Sequence, residues 1–169
     1  VSSTTGRVMW TYFTEGPIRS SPIAQDRHVF IGSDDEHLHI VNATTGQRAN
    51  KIHASAPIRS SPLIHNDAIF FGTETGDFFC SDFSGKVHWR INAKRAVTSS
   101  PRIQDNVVYF SSIDGMLYAI DAKTGWTLWR FRMDRGSIST PFITDRFAYI
   151  GSADGQIYCI NLQSAKEIW

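Results

Sequence analysis

The feature that most constrains this 169-residue chain is a repeat of about forty residues. The string TTGRVMW at 4–10 returns as TTGQRAN at 44–50, FSGKVHW at 83–89, KTGWTLW at 123–129 and QSAKEIW at 163–169. Its last position reads Trp10, Asn50, Trp89, Trp129 and Trp169, in steps of 40, 39, 40 and 40. A second string keeps the same register: RSSP at 19–22, RSSP at 59–62, TSSP at 98–101 and ISTP at 138–141. A third precedes an aromatic stretch, as DDEHLHI, ETGDFFC, IDGMLYA and ADGQIYC. A unit repeated this way cannot bury its apolar face alone, so neighbouring copies must stack.

Each unit reads as four short strands. The first runs through SSP into a turn carrying Asp or Asn, and the second is β-branched and aromatic, as in HVFIG and VVYFS. A Thr-Gly or Asp-Gly pair then suggests a tight hairpin of the type that needs positive φ at both central residues. The third strand alternates apolar and opposing residues and ends at an Asx position: Asn42, Asp82, Asp121 or Asn161. The turn glycines Gly46, Gly85 and Gly125 lead into the fourth strand, which carries the tryptophan. Four-stranded units of this length predict an all-β propeller. The blades fall at about 14–53, 54–93, 94–133 and 134–169, with residues 1–13 forming the outer strand of a preceding or closing blade.

These residues resemble the PQQ-like β-propeller repeat, whose signature is SSP, an aromatic-x-Gly, DGxLYAxD and xTGxxxW. DGMLYAIDAKTGWTLW at 114–129 carries it almost completely, and the likeness runs from Thr5 to Trp169. No Gly-His or Trp-Asp pair marks the WD40 class. The resemblance spans quinoprotein dehydrogenases, BamB-type outer-membrane assembly lipoproteins, and sensor or scaffold domains of bacterial kinases. It implies seven or eight blades, so four require further blades of the same polypeptide or a second copy to close a ring. It also implies a periplasmic or extracellular location. The opening VSSTTGRVMW shows no signal-peptide pattern, as a processed or excised chain would also not.

Charge narrows the partners. Lys+Arg 17 against Asp+Glu 16 gives a net charge of +1, which offers no electrostatic footprint for nucleic acid. No apolar run approaches the length of a membrane span. A protein partner is the expectation.

Within a repeat, a residue present in every copy is read as structural and one that breaks the pattern as a candidate for function. The Ser pairs and Trp10, Trp89, Trp129 and Trp169 are structural on this test; Asn50 predicts a differently covered seam after the first blade. Glu36 stands where other units have Gly76, Gly115 and Gly155. His37 and His39 lie two apart on one strand face, so with Asp34 or Asp35 they are candidates for a Zn or Ni site. His39 also aligns with Phe79, Tyr118 and Tyr158, which suggests a histidine satisfied in the sheet. Arg19 and Arg59 precede the SSP and are candidates for binding an anion or acidic peptide at the channel mouth. Arg130, Arg132 and Arg135 read as edge-protecting charges.

Quinoprotein relatives hold PQQ with a vicinal disulfide, a stacking Trp and Ca²⁺. Cys80 and Cys159 are not adjacent and read as buried small hydrophobes, so PQQ and Ca²⁺ are disfavoured. The leading expectation is a non-catalytic interaction or scaffold module, BamB-like or sensor-like. The alternatives are a vestigial quinoprotein dehydrogenase and a small-ligand or metal sensor.

Overall fold

In the computed structural model, which describes residues 1–169, the chain is all strand and turn. The first sheet holds β1 (Ile23–Gln25), β2 (His28–Gly32), β3 (His37–Asn42) and β4 (Arg48–His53). The second holds β5 (Leu63–His65), β6 (Ala68–Gly72), β7 (Asp77–Asp82) and β8 (Val87–Asn92). The third holds β9 (Arg102–Gln104), β10 (Val107–Ser111), β11 (Met116–Asp121) and β12 (Thr127–Arg132). Each is an antiparallel meander in sequence order. The fourth contains β13 (Phe142–Ile143), β14 (Phe147–Gly151) and β15 (Ile157–Asn161). Its outer strand is reduced to one bridge, Ile160 to Glu167. These sheets are propeller blades.

Residues 1–13 form no ladder in this chain. Trp10 nonetheless holds the place of an outer-strand tryptophan: its Nε1 donates to the Ala43 carbonyl at 2.9 Å. Trp89 does the same to Ala122 at 3.0 Å. Both rings lie over turn glycines, Gly46 and Gly125, where an added Cβ would fall 2.6 Å from Cγ of the indole. At Asn50 the ring is gone but the bond survives, since Nδ2 donates to the Phe83 carbonyl at 3.0 Å. The seam that the sequence marks as irregular thus keeps its hydrogen bond and loses its lid.

Turn chemistry departs from the expected pattern. Positive φ at both central residues occurs in the first turn of blades 2 and 3, at Asn66-Asp67 and Asp105-Asn106. In the turn between second and third strands only the fourth residue is left-handed: Gly76, Gly115, Gly155 and, in blade 1, Glu36 at φ 69°. Asp and Asn tolerate the left-handed region, which is why the short turn selects them.

The Ser pairs explain their own recurrence. Ser20 Oγ both donates to the Gly32 carbonyl and accepts its N–H, each at 2.9 Å, completing a rung beyond the end of β1. Ser60 with Gly72 and Ser99 with Ser111 repeat this. The next residue stitches neighbouring blades: Ser21 N–H to Ser61 Oγ, Ser61 N–H to Ser100 Oγ, and Ser100 N–H to Thr140 Oγ1.

Apolar cores lie between blades, not within them. Phe30, Leu38 and Ile40 of blade 1 pack on Ile64, Ile69, Phe71 and Phe79 of blade 2. Phe70, Phe78 and Cys80 then face Val97, Val108, Phe110 and Ile120 of blade 3. Leu117 and Met133 face Ala148, Ile150 and Ile160 of blade 4. Strand alternation gives every blade one leading and one trailing apolar face, and each seam joins unlike faces.

One close contact sets each seam. Ile58 is pressed onto Gly32 of the preceding blade, where a Cβ would lie 2.5 Å from its Cγ2; Val97 sits on Gly72 at 2.4 Å to Cγ1. Adding a methyl there overpacks the seam, so Gly72→Ala is expected to cost about 1–3 kcal/mol. Gly151 has the same register, but a Cβ would meet only Ser139 Oγ at 3.8 Å. At concentrations where the chain is a monomer, Gly151→Ala should therefore stay within about 0.5 kcal/mol of the parent. Urea unfolding of the two variants checks this, and an equal cost at both positions would contradict it.

Candidate functional site

Two adjoining clusters gather the residues that break the repeat. The first lies where the inner segments meet the turns after the second strands. Asp34 accepts from Arg19 Nε at 2.9 Å and from Arg59 Nε at 2.9 Å, and Arg59 also reaches Glu74 at 3.3 Å. The Arg59 hydrogen bond, aided by Arg19, holds the Asp34 carboxyl below the usual carboxylate range despite its partial burial. The pattern is paired along the repeat. Arg19 with Asp34 and Arg59 with Glu74 occupy the positions that are Thr98 with Ile113 and Ile138 with Ala153 in the last two blades. These register positions are therefore charged in blades 1 and 2 and uncharged in blades 3 and 4. The two arginines expected to bind an external anion are spent on the chain's own carboxylates.

The second cluster is Asp35, His39 and Tyr12. His39 Nε2 contacts both Asp35 oxygens, at 3.1 and 2.9 Å, and its Nδ1 lies 2.9 Å from the Tyr12 hydroxyl. His39 is 3% exposed. In blades 3 and 4 the same turn carboxylate takes a tyrosine directly: Tyr118 to Asp114 at 2.6 Å and Tyr158 to Asp154 at 2.9 Å. His39 thus replaces that phenol, and its second ring nitrogen is satisfied by a tyrosine from the segment ahead of blade 1. With Nε2–H donating to Asp35 and Tyr12 O–H donating to Nδ1, every polar atom is matched. Burial raises the Asp35 pKa, but hydrogen bonds from His39 and from the Glu15 and His37 amides outweigh it, leaving the carboxyl below its ordinary value.

His37 shares the face of His39, with ring centroids 6.0 Å apart, and packs at a tilt against His53, with centroids 5.0 Å apart. Its Nδ1 is occupied by the Asp35 carbonyl at 2.7 Å, while His53 approaches Glu36 at 3.4 Å. No three His, Cys, Asp or Glu groups stand in an arrangement able to hold a metal ion. The proposed ligands His37, His39 and Asp35 are brought together, but as a hydrogen-bonded set.

The residues present do not fit a quinone cofactor held in the dehydrogenase manner. Cys80 and Cys159 are free, buried, and lie on the third strands of blades 2 and 4. Burial pushes the Cys80 thiol up to about 12, which removes its nucleophilic form at neutral pH.

A third feature escapes a reading of single positions. Between blades 3 and 4 opens a cleft of about 740 Å³, lined by Arg95, Arg132, Arg135, Ile113, Met133 and Ile138 among others. The signal for it is a pair: Ser111 where other blades have Gly32 and Gly72, and Ser137 where they have Ile58 and Val97.

Asp35 is depressed in the folded state, so its stabilisation is complete above the unfolded carboxylate pKa and is lost as pH falls through the lower folded value. Wild-type thermal stability should then fall more steeply below about pH 4 than that of Asp35→Asn. At neutral pH Asp35→Asn should cost about 1.5–3 kcal/mol. Parallel acid limbs for the two proteins would contradict this assignment.

Comparison with known proteins agrees with this geometry. A family model of the outer membrane protein assembly factor BamB matches residues 51–169. The crystal structure of BamB from Moraxella catarrhalis superposes with a TM-score of 0.85 at 24% identity, over 97% of this chain and 52% of that one. The chain therefore spans about half the length of that BamB. The computationally designed Ika4 protein matches at TM-score 0.79 and 16% identity, over 93% of this chain and 99% of its own. The designed Ika8 protein matches at 0.78 and 16%, over 89% and 48%. A search of curated proteins gives no significant match. No helix is long and apolar enough to cross a membrane.

Proposed function

The chain belongs to the BamB family of PQQ-like propellers, and from that premise we propose that it is a non-catalytic scaffold that acts by holding protein partners. The first partner is another run of blades of its own kind, supplied by further blades of the same polypeptide or, for this chain by itself, by a second copy. The observation that carries this reading is an unmatched plug and an unmatched socket at opposite ends of one unit. Ile18 holds the register of Ile58 and Val97, which are fully buried, yet it is 47% exposed. Gly151 holds the register of Gly32 and Gly72 and has no plug seated on it.

The surrounding faces support the same pairing. Leu38, Phe78 and Leu117 are fully buried on the leading faces of blades 1 to 3, while Ile157 in their register is 64% exposed on blade 4. Phe142 and Trp169 add to that patch. An exposed apolar face of this kind on a soluble chain marks an interaction surface. Head-to-tail contact of the trailing end of one unit with the leading end of another is heterologous, and it closes when the rotation completes a ring. Two such units would account for the length of the M. catarrhalis BamB chain.

Partner binding in the BamB manner would then use the completed scaffold, in the periplasmic or extracellular setting the family resemblance implies, without PQQ or Ca²⁺. Light scattering should give a mass near twice 19.0 kDa for this chain. Ile18→Asp should return it to a monomer with an unchanged circular dichroism spectrum. A wild-type monomer at every concentration measured would overturn the association. Adding PQQ with Ca²⁺ should leave the melting temperature unmoved; a saturable rise would contradict the non-catalytic reading.

A further inference from the structure

We propose that the cleft between blades 3 and 4 binds an extended acidic peptide segment that carries an apolar side chain. The cleft lies beside a seam that is built differently from the other two, and Ser137 of that seam lines it. At the first two seams a branched side chain, Ile58 or Val97, fills the space above a glycine of the preceding blade. At the third, Ser111 replaces the glycine and Ser137 the branched residue. Ser111 Oγ donates back to the Ser139 carbonyl at 2.9 Å, so the space is spanned by hydrogen bonds instead of a plug.

The inner segment of blade 4 shifts as a result. Ser20, Ser60 and Ser99 each bond the last residue of the following second strand. In blade 4 their counterpart is Ser139, but the bond to the Gly151 carbonyl is made by Ser137, at 2.6 Å. Ser137 Oγ also accepts the Ser139 N–H at 3.0 Å. Ile138, in the register of Arg59 and Thr98, is left 71% exposed beside the opening.

The charges around the cleft are unspent. Arg19, Arg59 and Arg90 are paired with Asp34, Glu74 and Asp77. Arg95, on one stretch of chain, and Arg132 and Arg135, on a second, have no carboxylate within 4.0 Å. Two acids share the lining. Asp114 already accepts the Tyr118 hydroxyl and the Met116 N–H, and Asp134 is the other, so three guanidiniums still exceed the carboxylates. Guanidinium groups bind carboxylates through paired N–H donors, while Ile113 and the exposed Ile138 offer an apolar wall to a side chain between them. A cleft of about 740 Å³ has room for a short segment of this composition. All its lining residues belong to one copy, but Gly151 among them is also the socket proposed for Ile18, so the peptide and a second copy compete there.

Fluorescence anisotropy with a labelled EDLED peptide tests the proposal, against EDGED, a basic KRLRK peptide and citrate. EDLED should bind saturably and more weakly as salt rises, EDGED should bind less well, and KRLRK should not bind. Arg95→Glu with Arg135→Glu, both on exposed side chains, should weaken EDLED by roughly tenfold or more. Ser111→Gly with Ser137→Val, which puts a branched side chain on the lining, should weaken EDLED; because the Gly151 carbonyl and the Ser139 N–H lose their Ser137 partner, the fold of this variant is checked by circular dichroism. Ile18→Asp, which leaves the Gly151 socket free, should not weaken EDLED, so loss of the dimer and loss of this site are read separately. No binding by the wild-type chain, or equal binding by the double-Glu variant, would overturn the proposal. Equal affinity for EDLED, EDGED and citrate would do so too, by assigning the cleft to small anions.

Discussion

Everything in this structure depends on how closely one blade can approach the next. A four-stranded sheet has two apolar faces and no interior of its own, so its stability resides in the seams. The approach is fixed at one point near the inner end, where a branched side chain occupies the space a Cβ would take in the preceding blade. Close packing without voids makes that point intolerant of added volume. The outer end is fixed separately, by an indole lid on a turn glycine and a bond from its ring nitrogen. Between these anchors the aromatic and β-branched residues of the second and third strands interdigitate.

Once the seams are recognised as the structural unit, departures from the repeat become readable as changes of seam. Asn50 keeps the outer bond without the lid. Ser111 with Ser137 exchanges the inner plug for hydroxyl bonds, beside a cleft that Ser137 lines. The charged pairs of blades 1 and 2 are replaced by uncharged residues at the same positions of blades 3 and 4. The BamB family therefore supplies the frame, and the irregular seams supply what can differ between members; function sits in such grafted sites and not in the fold.

The architecture was legible because its markers are periodic: strings spaced forty residues apart name the blade, its turns and its lids. Less legible was anything set by partners distant in sequence. His39 reads as an aromatic-position substitution, but the Tyr12 that completes it lies 27 residues away, ahead of the blade. Arg19 and Arg59 look available until Asp34 and Glu74 are placed beside them. Positive φ at the short first turns, instead of at both residues of the Asp-Gly pairs, follows from loop length, which spacing alone left open. Glycine at 72 and valine at 97 carry no visible link until the seam brings them into contact.

A double-mutant cycle across that contact tests the central claim most directly. Gly72→Ser and Val97→Ser convert the second seam, singly and together, into the serine pair of the third. If the inner contact sets the seam, each single change destabilises and the double variant recovers part of the loss, with a coupling of about 1 kcal/mol or more in urea unfolding. Additive losses would show that residues 72 and 97 act independently, and that blade spacing is set elsewhere.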